Sequence, residues 1–358
     1  MRTVSVINQK GGCGKTTIAI NLAAALGKIG NRVLLLDLDP QSHASLGLDV
    51  TYHDVKYTTY DLLRNPRIMV KDAVFTINPS LDVIPSSPIL SAIEQELAGK
   101  PGRETRLALK LVRLNGTYDY VIIDSPPNVG LLTFNSLLAS GEVLIPVEPS
   151  YFSLQGLSRL METLDVLKSE TKHKAKIHVV INNIEKRTTF SRDIVMELER
   201  HHGDILLDST ISHSVKYKEA ALCGVPIFEM PRSERLKWEF LSLARELEEK
   251  RASLLEVENI KDWMVKLNGP RVVESGVVFT IKAPNARSVS LTGEFTNWSH
   301  EGIRMLKNED NETWKIVMNL DPGDYEYRFI VDGVWIKDPN NVDTVLNEFG
   351  QENSLLIV

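Results

Sequence analysis

The chain has 358 residues, 43% hydrophobic and 25% charged, with a formal net charge of −6 at pH 7, a balance that excludes a disordered or fibrous chain and whose length suggests two globular domains. Residues 269–358 hold 8 Lys+Arg against 14 Asp+Glu, leaving 33 of each before them. All the excess acidity therefore sits at the C-terminal end, and any basic footprint for nucleic acid must be a local patch.

The first elements are a strand over Val4-Ser5-Val6-Ile7 and a helix over residues 18–26, joined by Gln9-Lys10-Gly11-Gly12-Cys13-Gly14-Lys15-Thr16-Thr17. Glycines at 11, 12 and 14 admit backbone angles closed to other residues and let peptide N–H groups converge on one anion. A helix opening at Lys15 adds free N–H groups and the positive end of its dipole; Lys15 adds an ammonium for the outer phosphates, and Thr16 a hydroxyl for Mg²⁺. The loop thus reads as a nucleotide cradle made by Gly11, Gly12, Cys13, Gly14, Lys15, Thr16 and Thr17. The usual pattern has a glycine where this chain has Gln9, and a second lysine, Lys10, precedes the glycines instead.

This Lys-Gly-Gly-x-Gly-Lys-Thr pattern resembles the deviant Walker A motif of the ParA/MinD family of ATPases. The resemblance implies an α/β P-loop NTPase fold with a mainly parallel sheet, binding of ATP and Mg²⁺, and an ATP-induced homodimer. In that dimer Lys10 crosses to the partner's nucleotide, so Lys10 and Lys15 are both expected in catalysis. The only cysteines, Cys13 and Cys223, have neither disulfide nor metal-ligand spacing, which argues against the iron-protein branch of the superfamily and for a reducing cytoplasm. A strand that runs straight into the phosphate loop leaves no signal-peptide pattern at the start of the sequence.

Next comes Val33-Leu34-Leu35-Leu36-Asp37-Leu38-Asp39-Pro40-Gln41. A near-continuous apolar run is what a central parallel strand requires, and its C-terminal end lies on the ligand-binding edge of an open sheet. The stretch resembles the family's Asp-x-Asp-Pro-Gln segment, which implies that Asp39 positions the attacking water and that Asp37 supports the metal site; a turn cap before Pro40 is the plain alternative for Asp39. The strand Tyr118-Asp119-Tyr120-Val121-Ile122-Ile123 ends in Asp124, a buried acid that needs a cation or hydrogen bonds, as a Walker B carboxylate finds at Mg²⁺. Ser125-Pro126-Pro127 cannot continue as helix and matches the family's γ-phosphate switch. A helix over 131–139 and a strand over 143–147 follow.

Glu148-Pro149-Ser150-Tyr151-Phe152-Ser153-Leu154-Gln155-Gly156 resembles a family segment beside the nucleotide, which implicates Pro149. The strand over 177–181 ends in Asn182-Asn183, where the family binds adenine; Asn182 could pair with the base edge or be satisfied by backbone. Positive charges cluster between Lys168 and Arg192, and Ile211-Ser212-His213-Ser214-Val215-Lys216 resembles a family segment that binds DNA without sequence preference. Lys186, Arg187, Arg192 and Lys216 are the candidates, with Ser212 and His213 departing from the family's proline and arginine. Fewer phosphate-neutralising charges mean weaker DNA binding, and a solvated face has the same composition. A helix over 233–251 carries Leu236, Phe240, Leu243 and Leu247 on one stripe and mixed charge on the other, which predicts core packing rather than membrane attachment; no apolar run approaches the ~18 residues that span a bilayer.

From Val272 the pattern changes to short alternating runs separated by turn residues such as Asp321-Pro322-Gly323 and Asp332-Gly333, which predicts a small all-β sandwich. A two-residue Asp332-Gly333 turn pairs Val331 with Val334 and Ile330 with Trp335, so Trp335 and Arg328 share a face. With Tyr325, Tyr327, Phe329 and Val331 assigned to the core, that face is the outer one. An outward indole beside a guanidinium suits a sugar ring. Gly293-Glu294-Phe295-Thr296-Asn297-Trp298, the Tyr325 to Trp335 run and Asn353 to Val358 resemble the glycogen-binding module of AMP-activated protein kinase beta subunits, an immunoglobulin-like fold. The resemblance implies a glucan site of Trp298, Arg328, Trp335 and Asn353, with Phe349 and Gln351 at positions that differ from the kinase subunits.

The expectation is an Mg²⁺-dependent ParA-type ATPase over 1–251, a connector over 252–270 and a carbohydrate-binding sandwich over 271–358. It would partition or position cargo, either DNA or something glucan-associated, with an activating partner protein and no membrane contact. The alternative is a glucan sensor gated by nucleotide that binds no DNA.

Overall fold

The computed structural model describes the chain apart from residues 101, 115, 172, 185–188, 251–269, 274–275, 308–312, 340, 342 and 348, and describes only the backbone of 151–152, 154–155, 169–170, 189–193, 201 and 271–273. Two compact units divide it, one drawn mainly from residues 1–260 and one mainly from 261–358. The expected connector lies outside the described residues, Pro270 excepted.

The first unit is built on eight strands: β1 (Arg2–Val6), β2 (Val33–Asp37), β3 (Phe75–Asn78), β4 (Leu81–Ile84), β5 (Tyr120–Asp124), β6 (Glu142–Val147), β7 (Lys176–Ile184) and β8 (Leu206–Ser212). Their order in the sheet is β3-β4-β2-β5-β1-β6-β7-β8, parallel except where β3 meets β4. Strands β2, β5 and β6 are buried along their whole length, because helices cover both faces and leave no polar side for alternation. On one face helix α1 (Lys15–Lys28) packs Ile18, Leu22 and Leu26 over Val4, Val6, Val33 and Leu35, with Leu236, Phe240, Leu243 and Leu247 of the helix Glu234–Glu249 in the same cluster. On the other, Leu157, Leu160 and Leu164 of the helix Tyr151–Thr171 cover Val143, Ile145 and Val179. Each such buried side chain contributes about 2 kcal/mol against exposure, which holds the 234–249 stripe in the core as its spacing predicts.

Register sets the chemistry. Val6 pairs with Asp124 across β1 and β5, and Asp37 pairs with Asp124 across β2 and β5. The loop after β1 and the acids ending β2 and β5 therefore meet at one edge of the sheet. Strand β7 runs on to Ile184, beyond the apolar stretch at 177–181, and carries Asn182 and Asn183 to that edge.

The second unit pairs two antiparallel sheets. One has the order β13 (Leu306–Lys307), β14 (Thr313–Met318), β10 (Gly276–Lys282), β9 (Arg271–Val273). The other has β12 (Ile303–Arg304), β11 (Val289–Gly293), β15 (Asp324–Val331), β18 (Glu352–Ile357), β17 (Thr344–Leu346), with β16 (Val334–Ile336) on β15. Phe279 and Ile281 of β10, Leu291 of β11, Tyr327 and Phe329 of β15 and Trp314 of β14 form the core. Phe279 meets Tyr327 edge to face at 5.1 Å, the arrangement aromatic quadrupoles favour. Tyr325 and Val331 join this core only in part, whereas Ile330, on the opposite face, is also buried. Asp332 and Gly333 both take positive φ, 48° and 85°, as a two-residue hairpin requires, and Val331 pairs with Val334 and Ile330 with Trp335.

Candidate functional site

The glycine loop leaves β1 and enters α1 through two positive-φ glycines, Gly12 at 76° and Gly14 at 87°. A Cβ on Gly14 would meet Asn182 Nδ2, so a larger residue here would strain the backbone and displace that amide. Gly11 and Gly12 face outward, Cys13 is buried, and Thr17 sits in the first turn of α1. Asn182 Nδ2 donates to the Cys13 carbonyl at 2.7 Å, bracing the loop from β7. Lys15 is buried to 7% exposure and its Nζ donates to the Lys10 carbonyl at 3.2 Å. Pro149 lies half-buried just past β6.

Beside the loop stand three acids. Thr16 Oγ1 donates to Asp124 Oδ2 at 2.7 Å, while Asp124 Oδ1 is buried with no hydrogen-bond partner. Burial pushes the Asp124 carboxyl well above the ordinary range, and Asp37 beside it pushes in the same direction. Burial raises Asp37 to about 6 against hydrogen bonds that oppose the shift. Its Oδ2 accepts from Ser45 N–H at 2.8 Å and Ser45 Oγ at 2.6 Å, and its Oδ1 from Asp39 N–H at 3.1 Å. Asp37, expected at the metal, thus spends both oxygens bracing the chain after β2. Asp39 Oδ1 accepts from Gln41 N–H at 3.0 Å, the turn cap of the plain alternative, and its Oδ2 takes no hydrogen bond from the described residues. Among the described residues no three acid, imidazole or thiol groups converge on one point. A hard cation here would be held by Thr16, Asp124 and ligand oxygens rather than by a protein cage. The orphaned Asp124 Oδ1 and the buried Lys15 ammonium fit such a cation and the phosphates that accompany it.

On the sandwich, Trp298 and Trp335 lie nearly parallel, with ring centroids 6.2 Å apart and planes at 18°. Both are half-exposed, unlike core Trp314. Two consecutive left-handed residues, Asn297 and Trp298 at φ 48° and 56°, set the Trp298 ring in place. His300 adds a third ring, 5.3 Å from Trp335 and tilted 59°; no motif marks it. Arg328 donates to Gln351 Oε1 at 2.9 Å and to the Glu352 carbonyl at 2.8 Å, so it props the loop before β18. Asn353 is buried and its Nδ2 donates to Glu326 Oε2 at 2.9 Å, an internal contact the sequence did not suggest. Phe349 stands 87% exposed.

Residues 1–177 match the model of an AAA domain family. Over 250 residues the chain is 38% identical to the chromosome partitioning protein ParA of Caulobacter vibrioides, covering 69% of this chain and 94% of that protein. The chain belongs to the ParA family. Soj of Bacillus subtilis, a sporulation initiation inhibitor, is 37% identical over 247 residues, 69% of this chain and 98% of its own. Among solved structures, the ATP complex of a McdA variant from Cyanothece superposes with a TM-score of 0.63 at 26% identity, covering 71% of this chain and 98% of that one. Cobyrinic acid a,c-diamide synthase from Mycobacterium smegmatis with ADP and magnesium gives 0.57 at 29% identity, covering 63% and 91%. Residues 276–358 match the glycogen recognition site of AMP-activated protein kinase. This ParA-family chain therefore carries a glycogen-binding module behind its P-loop unit.

Of the residues expected to meet DNA, only Lys216 is described with its side chain. Lys186 and Arg187 lie outside the described residues, as does the side chain of Arg192. Lys216 Nζ donates to the Pro231 carbonyl at 3.1 Å and lies 3.8 Å from Glu219, and Lys176 donates to the Lys250 carbonyl at 2.7 Å. Among the described residues no helix is long and apolar enough to cross a membrane.

Proposed function

We propose that this ParA-family chain is an Mg²⁺-dependent ATPase that dimerises on ATP and positions a glucan-associated cargo through its C-terminal module. The unpartnered Asp124 Oδ1, buried beside the Thr16 hydroxyl, supports this reading most, because it is the acceptor a nucleotide-bound Mg²⁺ would satisfy. The bound cation would supply charge neutralisation at the phosphate oxygens. Around it the loop N–H groups and Lys15 hold the phosphates, Thr16 and Asp124 hold the cation, and Lys10 reaches the partner chain's nucleotide. The Asp39 oxygen left out of the turn cap accepts from the attacking water and orients it. The nearly parallel indoles of Trp298 and Trp335 offer stacking surface to an α-glucan such as glycogen.

The commitments of Lys216 to the Pro231 carbonyl and of His213 to Asn183 favour a second reading, in which nucleotide gates glucan or protein binding and DNA plays no part. One experiment addresses both. Full-length Asp39→Ala loaded with Mg-ATP should retain ATP and form the dimer, yet release phosphate at least 100-fold more slowly, on the order of what a lost positioning group costs. Undiminished phosphate release would refute the assignment of Asp39. Retention of that trapped dimer on nonspecific DNA at low salt, lost as salt rises, supports DNA as a track; failure to bind DNA supports the second reading.

A further inference from the structure

Lys10 is anchored twice over within its own chain. Its backbone N–H donates to Asn8 Oδ1 at 2.9 Å, and Asn8 Nδ2 donates to the Pro146 carbonyl at 2.7 Å, so the main chain is fixed to β6. Its side chain follows the same strand: Nζ donates to Glu148 Oε2 at 2.6 Å and to Ser153 Oγ at 3.3 Å. Glu148 is itself braced. Its Oε1 accepts from Asn183 Nδ2 at 2.9 Å, and Asn183 Oδ1 lies 2.5 Å from His213 Nδ1. Asn183 holds this position in a left-handed conformation, φ 58°, which asparagine tolerates better than most residues. Both Glu148 oxygens are thus used, one by the lysine and one by a brace that reaches to the end of β8.

We propose that Glu148 is a latch: it holds Lys10 in its own chain and sets the protein concentration at which ATP drives dimerisation, with Asn183 and His213 bracing it. The proposal rests on the reading of Lys10 as the residue that reaches the partner's nucleotide. An ammonium in a 2.6 Å charge-assisted contact must break it before it can extend elsewhere. The Lys10 and Glu148 side chains are 37% and 20% exposed, so solvent screens the pair and its release is cheap. That makes it a threshold rather than a lock. Glu148 is a positioning residue, acting through Lys10 and touching no phosphate.

The test uses the full chain with saturating Mg²⁺ and a nonhydrolysable ATP analogue, following association by sedimentation velocity across protein concentrations. Glu148→Gln keeps the shape and removes the charge. Its dimerisation midpoint should fall about ten-fold, roughly three-fold for each of the two lysines released. Asn183→Ala should shift it the same way by less, and Lys10→Ala combined with Glu148→Gln should gain nothing over Lys10→Ala alone. A loosened fold would weaken association, so tightening separates a latch from a merely structural acid. A Glu148→Gln midpoint at or above that of the unaltered chain, with Lys10→Ala still monomeric, overturns the latch and leaves the dimer reading standing. A Lys10→Ala protein that dimerises normally overturns both.

Discussion

At the scale of single residues, the site is dominated by buried carboxylates at a sheet edge. Asp37 has its carboxyl raised to about 6 by burial, so between about pH 4 and 6 the folded chain binds a proton the unfolded chain has lost. Stability must then fall as pH rises through that window and level off above it, by on the order of 2 kcal/mol from this one group. Asp37→Asn should flatten the decline in urea midpoint between pH 4 and 7 without abolishing it, since Asp124 is shifted in the same sense. An unchanged slope would mean that Asp37 is not a source of the decline. The apolar runs ending in Asp37 and Asp124 made their delivery to the nucleotide edge legible in the sequence. What consumes the Asp37 oxygens was not legible, because Ser45 comes from a four-residue helix, His43–Leu46, and no spacing marks it as a partner.

At the scale of elements, the strand–loop–helix around Gly14 was readable from glycine placement alone, while its brace was not. Asn182 becomes a loop support because β7 runs past its apolar core, and a polar strand end gives no periodic signal. The Cβ of Gly14→Ala would strain a φ of 87° and collide with Asn182 Nδ2. That costs about 1–3 kcal/mol for the backbone and displaces the hydrogen bond to Cys13. The variant should therefore show a lowered melting temperature and no thermal shift with Mg-ATP; a normal shift would mean that the cradle does not need this geometry. In the sandwich, the Asp332-Gly333 turn fixed the register and so the placement of Trp335. The engagement of Arg328 by residues 351–352 depends on β18 lying beside β15, a long-range pairing that local pattern does not reveal.

At the scale of the whole molecule, the central claim is that one chain joins ParA-type ATP hydrolysis to glucan binding. The two halves differ in charge as well as architecture, since residues 269–358 carry all the excess acidity. An acidic module favours a neutral polysaccharide over a polyanion, in keeping with indoles that offer stacking rather than charge. The most direct measurement is phosphate release assayed separately in pellet and supernatant after the full chain, with Mg-ATP, is sedimented with glycogen. The account predicts that the activity pellets with glycogen, and that Trp298→Ala with Trp335→Ala moves it to the supernatant undiminished, because the substitutions remove a stacking surface and not a core. Activity that stays in the supernatant with the unaltered chain would contradict it.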